Sequence, residues 1–116
     1  MSLLLLFPSS VPLDTTAPVL SVSNLSATKI SRVAGNDITY VSFTVNEECQ
    51  AWKAKRVSSG GAIHTDGSLV DSGGSIPADT VYVFDITDDE LVDSGGAEGS
   101  NTIKVFVQDD AGNWSV

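Results

Sequence analysis

Cys49 and His64 are the chain's only thiol and only imidazole. A nucleophile–base pair is the conventional chemistry those two types offer. No nucleophile elbow or strand–turn–helix context surrounds either one. They read more simply as a half-buried thiol and a loop histidine. The acidic run Asp85, Asp88, Asp89, Glu90 and Asp93 invites a calcium reading. It lacks the alternating acidic positions, central glycine and closing glutamate of an EF-hand loop. Thr87-Asp88-Asp89-Glu90 fits a helix capping box instead, and a helix N-terminus favours acidic side chains. A sugar platform needs two or three aromatic rings exposed on one surface. Trp52 has the inward parity of its strand, which leaves Phe106 and Trp114 as candidate contacts to a neighbouring subunit. Lys53, Lys55 and Arg56 form a basic patch, either a solvated strand face or a match for an acidic partner.

Composition narrows the field further. The 116 residues fit one domain, and 41% hydrophobic with 18% charged residues place it among globular chains. Six Lys+Arg against fifteen Asp+Glu give a net charge of −9, which argues against a nucleic-acid face or an anionic membrane as partner. A lone cysteine forbids an internal disulfide and any multi-cysteine zinc site. With so little general acid–base chemistry available, a non-enzymatic role is expected.

The elements that must position these residues have period two. Pro18–Ser23, Asp37–Asn46, Gln50–Val57, Ala62–Asp66, Thr80–Ile86, Asn101–Gln108 and Trp114–Val116 read as short strands separated by turn residues. Val41, Phe43 and Val45 share one face, as do Trp52 with Ala54, and Ile103 with Val105 and Val107; Phe106 points the other way. One helical turn follows Thr87, with Leu91 and Val92 packing inward and Gly95-Gly96 ending it. Ser58–Asp79 is rich in Gly, Ser and Asp and reads as mobile loops. The fold expected is an all-β, immunoglobulin-like antiparallel sandwich of about seven strands over residues 14–116, preceded by an extended arm over residues 1–13.

That arm is the most apolar part of the chain: Leu3, Leu4, Leu5, Leu6 and Phe7, then Val11 and Leu13. No basic residue precedes Lys29, and Pro8 stops the apolar run after five residues. Neither a secretory signal nor a membrane span is expected. Such side chains left in water would promote aggregation, so the arm reads as docking on a partner subunit. An extra edge strand on its own domain is the plainer alternative.

Two stretches carry a family resemblance: Asp14-Thr15-Thr16-Ala17-Pro18-Val19 (DTTAPV) and Asn101 to Ser115 (NTIKVFVQDDAGNWS). Together they resemble the bacterial immunoglobulin-like and fibronectin-III-like modules of adhesins and of virion proteins of tailed bacteriophages. The resemblance implies a decoration, spacer or adhesive module with no enzymatic activity. A single module with a leucine-rich arm resembles phage accessory proteins attached to capsid or tail. Those are made in the host cytoplasm without an export signal and displayed on the virion surface. Implied partners are other virion subunits, the major capsid protein or a tail protein, with the chain as a homo-oligomer on the particle. Related tandem modules hold calcium at their junctions. Asp14, Asp109, Asp110 and Asn113 would be the corresponding oxygen ligands, unless Asp110 and Asn113 simply hydrogen-bond their own turn. The alternative role is a tail- or head-fibre-attached or adhesin-type module, binding host-surface glycan or protein through the Ser58–Asp79 loops or exposed aromatics.

Overall fold

A computed structural model describes residues 11–58 and 63–116. Six strands run β1 (Leu20–Leu25), β2 (Ile38–Val45), β3 (Cys49–Val57), β4 (Ser68–Gly73), β5 (Tyr82–Thr87) and β6 (Thr102–Asp109). They form two three-stranded antiparallel sheets in the orders β1-β2-β5 and β4-β3-β6. Single bridges from Ile76 to Cys49 and from Trp114 to Gln108 extend the second sheet. The chain crosses between sheets from β2 to β3, from β4 to β5 and from β5 to β6. This is the order of an immunoglobulin-like sandwich.

The core follows the period-two pattern. Val41, Phe43 and Val45 of β2 are at most 4% exposed, and Trp52 and Ala54 of β3 at most 3%. Aromatic contacts join the layers: the Trp52 ring lies 4.5 Å from Phe84 and 5.7 Å from Tyr82, centroid to centroid. Trp52 Nε1 donates to Tyr82 Oη at 3.1 Å, so the buried indole N–H has a partner. Ile103 and Val105 pack on this core only partly buried, because β6 is a sheet edge.

The short helix α1 (Asp88–Asp93) carries the expected capping box. Glu90 N donates to Thr87 Oγ1 at 3.2 Å, and Thr87 N donates to Glu90 Oε1 at 3.1 Å. Its last turn has no basic residue, and Arg56 of β3 supplies the cation, donating from Nε and Nη2 to Ser94 O at 3.0 and 2.8 Å. Gly95, at φ 93°, then turns the chain out of the helix. Replacing Thr87 by alanine is expected to cost about 1 kcal/mol, read as a drop of roughly 4–8 °C in Tm.

Four expectations need correction. Residues 63–66 form a turn rather than an edge strand, with Asp66 N donating to Ile63 O; residue 62 lies outside the described residues. The edge strand is β4, inside the stretch read as loops, because Ser68–Gly73 pairs with β3 even though Val70 is its only buried side chain. Val92 is 45% exposed, since a single helical turn presents only Leu91 to the core. Trp114–Val116 contributes one bridge rather than a strand.

Candidate functional site

The DTTAPV segment and the Asp109–Asn113 turn meet at one pole of the sandwich. Asn113 N and Nδ2 donate to the two Asp109 carboxylate oxygens at 2.8 and 3.1 Å. Asn113 Nδ2 also donates to Asp14 O at 3.0 Å, which ties the chain's entry to its last turn. Asp109 N closes the turn on Asn113 O at 3.0 Å. Of the four expected oxygen ligands, Asp14, Asp109 and Asn113 come together and Asp110 stays exposed. The third carboxylate is Glu47, from the β2–β3 corner. Oxygens of Asp14, Glu47 and Asp109 lie within 4.8 Å of one another. Nothing in a Glu-Glu corner of the sequence signals that contact.

The cluster's electrostatics split its members. Burial opposes ionisation of Asp109, but the Asn113 main-chain and side-chain N–H groups outweigh it and hold the carboxyl below its usual range. Glu47 is pushed up by burial first and then by the Asp109 and Asp14 carboxylates. Its Oε1 is buried without a hydrogen-bond partner among the described residues. Three hard-oxygen donors are the right chemistry for calcium, which takes 6–8 oxygens. Calorimetric titration reads this directly: heat abolished by Asp109→Asn assigns a cation site. No heat, with Tm unmoved by chelator, leaves the carboxylates as turn-formers.

Opposite shifts give opposite pH signatures. A lowered Asp109 contributes stability above its ordinary pKa, lost as pH falls through the depressed value. A raised Glu47 works the other way: the folded state holds a proton the unfolded chain has released, so stability falls as pH rises through the raised value. Glu47→Gln is therefore expected to raise Tm at pH 7 without divalent cations. The gain should vanish below the ordinary glutamate value of 4.5. A Tm difference independent of pH would remove the like-charge account.

A second cluster covers the outer face of the β4-β3-β6 sheet. His64 stacks on Trp114, centroids 4.4 Å apart and planes 11° apart. Lys53 Nζ lies 4.5 Å from the Trp114 centroid and 3.1 Å from His64 Nδ1. Burial, then Lys53 and Lys55, holds the imidazole below its usual pKa, so neutral His64 accepts from the ammonium. Phe106 does face outward, but it is fully buried. Lys53 is its cross-strand neighbour and the Lys104 ammonium lies 5.0 Å from its ring centroid. Phe106 thus offers no surface to a partner, and Trp114 already has one face on His64.

Cys49 and His64 do not meet as a pair. Cys49 is fully buried in the core, its thiol donating to Glu47 O at 3.4 Å and pushed up to about 11 by burial and nearby carboxylates. His64 stands on the outer face with Lys53 and Trp114. The acidic run also spends itself locally: Glu90 caps α1, and Arg32 Nη1 lies 3.4 and 3.3 Å from the Asp88 and Asp89 carboxylates. Glu90 oxygens also lie within 4.8 Å of Asp71 and Asp85. Of the arm, Val11 and Leu13 are 92% and 89% exposed, while Leu3 to Phe7 lie outside the described residues. No helix among the described residues is long and apolar enough to cross a membrane.

These sites sit on an all-β antiparallel sandwich. The chain matches no protein-family model, no curated protein and no solved structure.

Proposed function

We propose that the chain is a non-enzymatic structural protein of a tailed-phage virion: an immunoglobulin-like module displayed on the particle, as capsid decoration, and held to neighbouring subunits through residues 2–13. The observation that carries this reading is the junction at the pole, where Asn113 Nδ2 bonds Asp14 O at 3.0 Å. It joins the two stretches on which the family resemblance rests. Immediately before that junction Val11 and Leu13 are almost fully exposed, and the chain carries no charged side chain before Asp14. An uncharged apolar arm ahead of an acidic body divides the labour: the arm seeks a groove, and the body stays in water.

Gold-labelled antibody against residues 14–116 tests the reading on intact particles. Label distributed over the heads is the expected result. Label confined to tails or fibres would move the module there. No label on particles, with glycan binding that Trp114→Ala abolishes, would replace the reading by an adhesive module.

A further inference from the structure

Three of the chain's six cationic side chains stand on one surface, the outer face of the β4-β3-β6 sheet. Lys53 and Lys55 alternate outward on β3, about 7 Å apart along the strand. Lys104 of β6 is the direct cross-strand neighbour of Lys55. Like charges set opposite each other destabilise a sheet. The chain has fifteen carboxylates that could interleave with them. Arg32 pairs with Asp88 and Asp89, but Lys53 and Lys55 make no ion pair among the described residues. Lys53 meets the neutral imidazole of His64 at 3.1 Å instead. The remaining cross-strand neighbours of the two lysines, Ser72, Leu69 and Phe106, carry no charge. Residues 1–10 and 59–62 contain no charged side chain either. The opposite excess lies at the Asp109–Asn113 pole. Asp14, Glu48 and Asp110 are exposed there beside Glu47 and Asp109, and no ion pair reaches any of the five among the described residues. Their crowding shows at Glu47, which burial and then Asp109, Asp14 and Asp110 push upward.

We infer that the lysine face of one copy receives the acidic pole of a second copy, with Lys53 and Lys55 meeting the carboxylates of Glu48 and Asp110. Each excess is left unneutralised within one copy, and contact between two copies neutralises both. Leu69, 52% exposed and directly opposite Lys55, gives the face an apolar spot from which docking expels water. Face and pole are different surfaces, so the contact is heterologous: a copy docked by its pole still offers its face to the next. Bodies of net charge −9 repel one another. At physiological salt the Debye length is about 8 Å, which screens whole bodies more than groups in contact. The inference does not rest on the virion reading.

Sedimentation equilibrium of the full chain tests this at about 0.01, 0.15 and 1 M salt, where the Debye length is about 30, 8 and 3 Å. The wild type is expected to associate most at the middle value. Below it the whole bodies repel, and above it the contacting charges are screened. Lys55→Glu sets opposite charges across β3 and β6, so its Tm should equal or exceed that of the wild type while association weakens roughly tenfold or more. Glu48→Lys/Asp110→Lys should weaken association comparably from the other side. Mixed, the two variants should form a pair that grows no further, because each keeps one working surface. Lys29→Glu and Glu98→Lys change net charge at exposed residues beside a furrow away from both surfaces, and should associate as the wild type does. A wild type that stays monomeric at all three salts would overturn the inference. Association that rises steadily with salt and survives Lys55→Glu would overturn it too, since that is the signature of an apolar contact.

Discussion

A chain lacking Ser2–Leu13 is expected to melt as the full chain does and to lose particle binding by about a hundredfold or more. Among the described residues the buried core begins at Val41, with Leu20 packed beside it, and Val11 and Leu13 stand outside it. The deletion does remove seven large apolar side chains, of which the five of Leu3–Phe7 alone are worth roughly 7–15 kcal/mol in gross burial when docked. Ordering the backbone of those five residues takes back about 1–2 kcal/mol for each of them. The difference is about 3 kcal/mol, and every 1.4 kcal/mol is roughly tenfold in affinity. Adding purified protein back to particles that lack it measures both quantities at once. Equal occupancy with and without the arm would mean that the sandwich surface does the attaching.

Trp52→Ala is expected to have the largest effect on stability. The indole is 3% exposed, touches Phe84 and Tyr82 across the two layers, and donates to Tyr82 Oη. Truncating such a residue costs about 3–5 kcal/mol, a large part of the roughly 5–15 kcal/mol that holds a domain folded. Thermal melting should drop by roughly 12 °C at least, at about 4–8 °C per kcal/mol for a domain of this size. Gly73→Ala approaches the same contact from outside. A Cβ there would run into Nε1 of the Trp52 ring, so a loss of about 1–3 kcal/mol from overpacking is expected. If Gly73→Ala melted with the wild type, Trp52 would not be the fixed centre of the core.

The sandwich was legible wherever local sequence and tertiary burial obey the same period. β2 and β3 alternate cleanly, and the Thr87–Glu90 box names its own helix start, since each of those signals is complete within ten residues. β4 was not legible, because Ser68–Gly73 is a strand through its ladder to β3 and has almost no apolar face of its own. Phe106 divides the question: its outward parity follows from alternation along β6, but its burial depends on Lys53 and Lys104, which alternation along one strand does not weigh. Glu47 is the same lesson at the pole. The meeting of Asp14 with Asn113 was expected from the two stretches that carry them, whereas the third carboxylate arrives from a corner that nothing in the sequence singles out. His64 reaches Trp114 from a turn fifty residues away in the chain, a pairing that only the β3–β6 register creates.

The most direct measurement of the central claim is the amount of this chain in density-banded particles from the lysate that produces it, relative to the major capsid protein. Capsid decoration predicts a fixed ratio to the capsid protein that persists through repeated banding. A trace amount in proportion to tail proteins would contradict decoration and move the module to the tail, and absence from banded particles would contradict a virion role altogether.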